Sequence, residues 1–400
     1  MAYLSPSDEI QVSFDNIAVA FASKSDSQLR KTYWLFKIMN RAQIVNLGTF
    51  FIKLALKLHL PVKNLIKHTI FEQFCGGQSI RDCDQTIALL AQANIGTILD
   101  YSVEGEDTER NYDFTTSEIL KTIEKATISS EIPFSVFKLS GLVSTELLEK
   151  VQQKSPLSPE ELGAFDLVKG RVDRLCLAAY TNNVRLFFDA EESWIQDVIN
   201  EIAYTMMEKY NQEKAIVFNT YQLYRHETLD SLKNAYLIAR EKGYQVGAKL
   251  VRGAYMTKEN MRARENNYFS PIHTSKEETD QDYNAAIEFC LEHIAHFAVC
   301  LGTHNEASCS YCVSKMKKIS IAKNDNRIWF AQLLGMSDNI TFNLAKQGYN
   351  TAKYVPYGPI SQVMPYLIRR AQENTSITGQ SSREYLLVKQ EMERRGVNRL

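Results

Sequence analysis

Residues 215–250 open on Ala215-Ile216-Val217-Phe218 and close on Val246-Gly247-Ala248-Lys249-Leu250, two short apolar runs separated by an amphipathic stretch with a Lys/Glu-rich outer face. A strand buried on both faces reads as a continuous apolar run, and strand, helix, strand in succession is the unit of a parallel sheet. Outward from this pair the same rhythm recurs from about residue 96. The other runs are Thr97 to Tyr101, Phe134 to Leu139, Val184 to Phe188, Phe297 to Leu301, Ile328 to Leu333 and Thr351 to Val355. Eight runs with helices between them fit a closed (β/α)8 TIM-like barrel, a unit of about 250 residues, better than the alternative, an open doubly wound sheet. The class is therefore α/β, with a helical arm over 1–90, a barrel over 91–380 and a tail over 381–400. The long gap between the second and third runs holds Ser158-Pro159-Glu160-Glu161, a helix start in which serine caps, proline takes the first position and the acids face the positive end of the helix dipole.

The 400 residues are 44% hydrophobic and 23% charged, the balance of a folded protein rather than a disordered one. A net charge of -1 gives no global attraction to nucleic acid. Seven cysteines at irregular spacing suggest free thiols in a reducing compartment, and Met1 to Ile10 has no positive residue of the kind a secretory or transit leader carries. Ile44 to Leu60 is broken by Asn46, Lys53 and Lys57 and falls short of the roughly 20 apolar residues that span a bilayer. A cytoplasmic protein is expected. Between Lys31 and Ile70, however, lie seven basic residues and no acid, beside a stripe of Phe50, Phe51, Leu54 and Leu58. Such a segment either covers the barrel or lies peripherally on the inner face of an anionic membrane.

In a barrel the active site forms at the carboxyl ends of the strands. Here those ends offer Asp100, Lys138, Asp189, Asn219, Lys249 with Arg252, Thr303-His304-Asn305, Gln332 and Tyr354. Together they make a cationic, hydrogen-bonding mouth suited to an anionic substrate or cofactor. Past the last run, Tyr366, Arg369, Arg370 and Glu373 share one helical face, in outline a clamp that binds a carboxylate through planar guanidinium groups, or else a solvated surface. No G-x-G-x-x-G, phosphate-binding G-x-x-x-x-G-K-[ST] or G-x-S-x-G element occurs. Cys309-x-x-Cys312 lacks a second pair and His293 and His296 lack a carboxylate partner, so no metal site is assigned.

Seven segments resemble the proline dehydrogenase family: 137–140, 188–192, 218–222, 249–255, 303–305, 333–336 and 366–374, read as Phe-Lys-Leu-Ser, Phe-Asp-Ala-Glu-Glu, Phe-Asn-Thr-Tyr-Gln, Lys-Leu-Val-Arg-Gly-Ala-Tyr, Thr-His-Asn, Leu-Leu-Gly-Met and Tyr-Leu-Ile-Arg-Arg-Ala-Gln-Glu-Asn. The resemblance covers about residues 70 to 375 and is to the monofunctional, eukaryotic-type branch. It implies a distorted barrel that binds FAD without a glycine fingerprint, L-proline as substrate and a quinone as electron acceptor. It further implies that Arg369, Arg370 and Lys138 hold the proline carboxylate. Tyr255, Leu333, Tyr354 and Tyr366 would wall the pyrrolidine ring, Asp189 would support them, and Glu104 would pair with Arg369. Asn219, Lys249, Val251, Thr303, His304 and Asn305 would contact FAD, with Lys276 near its pyrophosphate. Many bacterial members have arginine and glutamine in place of Lys249 and Asn219, which leaves the tuning of the flavin open. Two other readings stay open from the residues alone: a Schiff-base aldolase using Lys138 or Lys249, and a non-catalytic peripheral scaffold.

Overall fold

A computed structural model describes residues 12–41, 43–45, 47–49, 51, 58, 62–103, 107–376 and 380–397. Glu104, Phe50, Lys53, Leu54, Lys57 and the segment Met1 to Ile10 lie outside the described residues.

The eight runs are eight parallel strands that close on themselves in chain order: β1 (Ile95–Tyr101), β2 (Phe134–Phe137), β3 (Arg185–Phe188), β4 (Val217–Gln222), β5 (Val246–Val251), β6 (Phe297–Gly302), β7 (Ile328–Leu333) and β8 (Thr351–Tyr357). Closure runs from Ile95 opposite Thr351 to Tyr101 opposite Tyr357. The open-sheet alternative is thereby excluded. The helices that bear on the site are α1 (Asp26–Met39), α2 (Asp84–Ala91), α3 (Glu109–Thr127), α4 (Thr145–Gln152), α5 (Pro159–Thr181), α6 (Ser193–Tyr210), α7 (Thr228–Lys242), α8 (Met256–Glu265), α9 (Lys276–Glu292), α10 (Glu306–Lys318), α11 (Asp338–Lys346), α12 (Met364–Ser376) and α13 (Gln380–Arg394). The long gap between β2 and β3 holds α4 and α5, and α5 starts as its sequence indicates: Ser158 accepts from the Glu161 amide at 3.2 Å while Glu161 accepts from the Ser158 amide at 2.9 Å.

Successive side chains of a strand point to opposite faces, so each strand divides its residues between the barrel interior and the helix layer. Phe134, Phe187 and Phe218 meet inside, the first two stacked at 4.4 Å, and form the floor. Gly247 is required beside them, because a Cβ there would lie 2.3 Å from the Val217 carbonyl oxygen and 2.6 Å from the Phe218 ring. Two residues on from that floor, Asp189, Thr220 and Lys249 stand in the next layer toward the mouth. Val217, Tyr221, Ala248 and Leu250 face outward into the large core between strands and helices.

The arm attaches at the mouth end of β8, where the Gly76 amide donates to Pro356 at 2.9 Å and Gly77 bridges to Tyr357. The stretch expected as a tail forms α13, whose Leu387, Val388 and Met392 are buried with Leu29 and Tyr33 of α1. Cys309 and Cys312 are buried free thiols on the inner face of α10.

Candidate active site

Asp189, one residue past β3, is the hub of the mouth. It accepts from Lys138 Nζ, one residue past β2, at 2.7 Å through Oδ2, and from Lys249 Nζ of β5 through Oδ1. Lys249 also donates to the Tyr354 hydroxyl of β8 at 2.7 Å, and its ammonium lies 5.0 Å from the Phe187 ring centre. Four strands thus meet in one ion-pair network. Burial works against the charge on Asp189, but Lys138 and Lys249 outweigh it and draw the carboxyl down to about 2. Burial likewise opposes the Lys138 charge, yet Asp100 and Asp189 hold that ammonium well above the usual lysine range. Lys249 is 5% exposed, whereas Lys138 remains 35% exposed at the rim, where a ligand can reach it. Tyr354 is held un-ionised by burial and then by Asp189.

Over this network lies α12. Its Tyr366 and Leu367 are buried in a cluster with Phe74 and Met336, and Leu333 at the end of β7 packs against both that cluster and the barrel interior. Arg370 sits 5.5 Å from the Tyr366 ring centre. Arg369 and Arg370 are half-buried, and each acts electrostatically on a different part of the mouth. The Arg369 charge bears on Tyr255, whose phenol is nevertheless kept un-ionised, mainly by burial. The Arg370 charge bears on His304: burial above all, then Lys353, Arg370 and Arg252, lowers that imidazole to about 3. His304 is therefore neutral and shares a 2.9 Å hydrogen bond between Nδ1 and Ser337 Oγ.

Thr303 Oγ1 accepts from Arg252 at 2.7 Å, and Asn305 accepts the Ser308 amide at 3.0 Å as the cap of α10. Arg252 and Lys276 both donate to Asp280, so Lys276 is tied to the start of α9 rather than reaching across the mouth. Val251, the last residue of β5, faces the interior half-buried. Asn219 stands apart from the others. It is the third residue of β4, not its end, and points to the helix layer, donating to Asn200 Oδ1 of α6 at 2.8 Å. The expectation that the fourth strand stops near Phe218 misplaces it: β4 runs on to Gln222, and one step of alternation turns the side chain outward.

Several mouth residues carried no role in the sequence reading. Glu191 is buried, accepts from the Ser140 amide at 2.9 Å and from its hydroxyl, and is pushed up to about 7, chiefly by burial. Gln222 donates to the Glu191 carbonyl at 3.0 Å, while its own Oε1 is buried without a partner among the described residues. Lys353, fully buried, donates to the Met336 carbonyl at 2.5 Å and pairs with Asp338 at 2.9 Å, fixing the turn that presents Leu333. Glu384 of α13 accepts the Ser337 amide at 2.6 Å. The only signal for the Lys353 pin was a charged residue in an otherwise apolar run, and Glu384, in the polar stretch Ser381-Ser382-Arg383-Glu384, carried none.

Residues 83–383 match the family model described as proline dehydrogenase. The chain is 31% identical over 421 residues to proline dehydrogenase 1, mitochondrial, of Dictyostelium discoideum, covering 94% of this chain and 74% of that protein. It is 31% identical over 322 residues to the carbapenem antibiotics biosynthesis protein CarD of Pectobacterium carotovorum subsp. carotovorum, covering 80% of this chain and 83% of that one. Among solved structures, proline utilization A of Bdellovibrio bacteriovorus, inactivated by N-propargylglycine, superposes with a TM-score of 0.71 at 18% identity over 93% of this chain. That likeness concerns the fold, and this chain spans 40% of the larger one. With the matched region running from the last turn before α2 to the start of α13 and containing Lys138, Asp189, Lys249, Tyr354, Arg369 and Arg370, the chain belongs to the proline dehydrogenase family and is an oxidoreductase.

Proposed function

We infer that this chain oxidises L-proline to 1-pyrroline-5-carboxylate with FAD as its cofactor and a quinone as final acceptor, the first step of proline breakdown to glutamate. The observation that carries the reading is the convergence of Lys138, Asp189, Lys249 and Tyr354 beneath the arginine face of α12. The residues fit a flavin: Lys249 is a buried donor in the layer above an aromatic floor, and Gln222 Oε1 is an orphaned acceptor one layer higher, matching a ring system that carries both acceptors and an N–H. FAD, when bound, supplies the two-electron acceptor.

The protein supplies position and charge. Arg369, Arg370 and Lys138 hold the substrate carboxylate, the guanidinium groups bidentately. Leu333, Tyr255, Tyr354 and Tyr366 confine the ring. The ring carbon beside nitrogen must lose a hydride, and the nitrogen its proton, to leave the C=N bond of the product. A pocket lined with fixed cations disfavours the ammonium form of the substrate, so the required free amine is favoured by the same groups that bind the carboxylate. Thr303, His304, Asn305 and Val251 line the mouth beyond β5 and β6, where the remainder of the cofactor would lie. Lys276 belongs to that side, held through Asp280; Glu104 completes the proposed pair with Arg369.

The aldolase reading requires a lysine made nucleophilic by a depressed pKa, and Lys138 is held in the opposite direction. The location we favour is intracellular, with peripheral contact on the inner face of a membrane to reach quinone. No helix among the described residues is long and apolar enough to cross one. The deciding experiment is spectroscopic: purified protein should be yellow and bleach on addition of L-proline. A colourless preparation that stays inactive after FAD addition would overturn the reading, and borohydride trapping with a carbonyl substrate would favour the aldolase.

A further inference from the structure

Among the described residues, six other than glycine take the left-handed backbone conformation, and Ser337 differs from the rest. Asn94, Lys154, Asn183, Asn267 and Ser320 are exposed, whereas Ser337 is buried, with φ at +49°, immediately before α11. A glycine would adopt that conformation without strain. What serine adds there is a hydroxyl, and it stands between two side chains from distant parts of the chain. Its oxygen lies 2.9 Å from Nδ1 of His304, past β6, and 3.3 Å from Oε1 of Glu384, on α13. The same Glu384 oxygen accepts the Ser337 amide at 2.6 Å. Glu384 is itself buried; Asp338 and Lys353, whose charges bear on it, pair with each other at 2.9 Å.

A hydroxyl has one hydrogen and a neutral imidazole has one N–H, so the directions of these hydrogen bonds are linked. As a carboxylate, Glu384 is a stronger acceptor than a neutral ring nitrogen and takes the Ser337 hydroxyl proton. The Ser337 oxygen can then only accept from His304, which requires the imidazole proton on Nδ1 and leaves a lone pair on Nε2. Nδ1 is the ring atom tied to the protein, so Nε2 is the one left for a ligand of the mouth. We propose that Glu384 is a positioning residue that acts through Ser337 to hold His304 in the Nδ1–H tautomer, so that Nε2 accepts a hydrogen bond from an O–H or N–H group of the cofactor. The cofactor half of this statement rests on the flavin reading above; the tautomer half does not. The partner of one ring nitrogen sets the role of the other, and here that partner is itself set by α13.

The test is proton–nitrogen correlation spectroscopy of the full chain carrying isotope-labelled histidine, which distinguishes Nδ1–H, Nε2–H and imidazolium. The His304 signals are those missing from His304→Asn. At alkaline pH, above the value of about 7 to which burial and then Asp338 push Glu384, the parent is expected in the Nδ1–H form. Ser337→Ala keeps the amide contact and loses the hydroxyl, while Glu384→Gln keeps an acceptor oxygen and loses the charge. Both should move His304 mainly to Nε2–H. Both should also bind FAD about tenfold more weakly, the worth of one hydrogen bond, by fluorescence titration. Should Glu384→Gln not fold, the parent and Ser337→Ala decide. The proposal is overturned by an Nε2–H parent, by the parent's tautomer persisting in Glu384→Gln, or by FAD affinities in both variants equal to the parent's. A lower melting temperature alone, with tautomer and affinity unchanged, would make Glu384 only a fastener of the turn. A parent that takes up no FAD would overturn the flavin reading and the cofactor half with it, while the spectra still decide the tautomer.

Discussion

At the scale of single residues the mouth depends on Asp189 facing two lysines. Asp189→Asn leaves Lys138 and Lys249 confronting each other without the carboxylate, and removing one member of such a buried network costs about 3 to 5 kcal/mol. A fall of at least two orders of magnitude in kcat/KM for proline is expected, accompanied by a lower melting temperature; unchanged kinetics would assign the network a purely structural role. Arg370→Met tests the other half of the site. It should cost proline turnover two to four orders of magnitude, about 3 to 5 kcal/mol, while flavin absorbance is retained. Activity within a few-fold of the parent would mean that the arginines form only a surface. Tyr354 is pinned by Lys249, and in the proposed role of walling the substrate ring it would crowd a ring hydroxyl; L-proline should then be preferred over trans-4-hydroxy-L-proline, with Tyr354→Ser narrowing the difference in kcat/KM. Equal use of both substrates by the parent enzyme would refute this.

Glu191 carries a pH dependence whose sign is fixed by its environment. Its folded value, about 7, lies above the 4.5 of an ordinary glutamate, so its contribution to stability is fully present below about pH 4.5 and fades as pH rises through 7. That window corresponds to about 3 kcal/mol as an upper figure. Glu191→Gln should therefore lose less stability than the parent between pH 5 and pH 8, measured by denaturant unfolding at each pH. Identical slopes in the two proteins would show that the carboxyl stays ionised throughout. Glu384, also raised to about 7 by burial and then by Asp338, adds to the parent's slope and remains in the variant.

At the scale of elements, α13 decides more than its position near the chain end suggests. It buries Leu387, Val388 and Met392 against α1, links Tyr385 to Tyr33 by a 3.1 Å hydroxyl contact, and sends Glu384 to the Ser337 amide, whose hydroxyl meets His304. A single helix thus joins arm to mouth. Met392→Ala should destabilise by about 2 to 5 kcal/mol, the range for deleting a large buried side chain, and the loss should appear in one cooperative transition with the barrel. A separate early transition would make the arm and α13 an independent unit.

At the scale of the whole molecule, the arm presents two kinds of apolar residue. Phe36, Met39, Val45, Ile66 and Phe71 are buried in the cluster under α12, whereas Ile38, Ile44, Leu47, Phe51, Leu58 and Leu65 are exposed. The arm therefore buries one side against α12 and the end of β7 and, among the described residues, displays an apolar, basic outer side. Each basic side chain near an anionic surface contributes about 1 kcal/mol, screened over roughly 8 Å at physiological salt. Sedimentation with anionic vesicles should be strong at low salt and weak at high salt, and should diminish when Lys53, Lys57, Lys63 and Lys67 are replaced by glutamine. Equal behaviour of the two proteins on anionic and neutral vesicles would leave the arm as a cover alone.

By itself the sequence determined the barrel, because strands buried on both faces must be apolar and helices must show one polar side, and both patterns are local. It also marked the residues just past the strands, Lys138, Asp189 and Thr303 among them, since a polar residue that ends an apolar run stands out. Only the tertiary structure decided which way Asn219 points, because facing depends on where β4 ends, and Asn-Thr-Tyr-Gln continues a strand without announcing it. The same holds for partners far apart in the chain. That Lys249 meets Tyr354 across 105 positions, and that Ser337 receives Glu384, follows from barrel closure and from the docking of α13, and no local pattern encodes either contact.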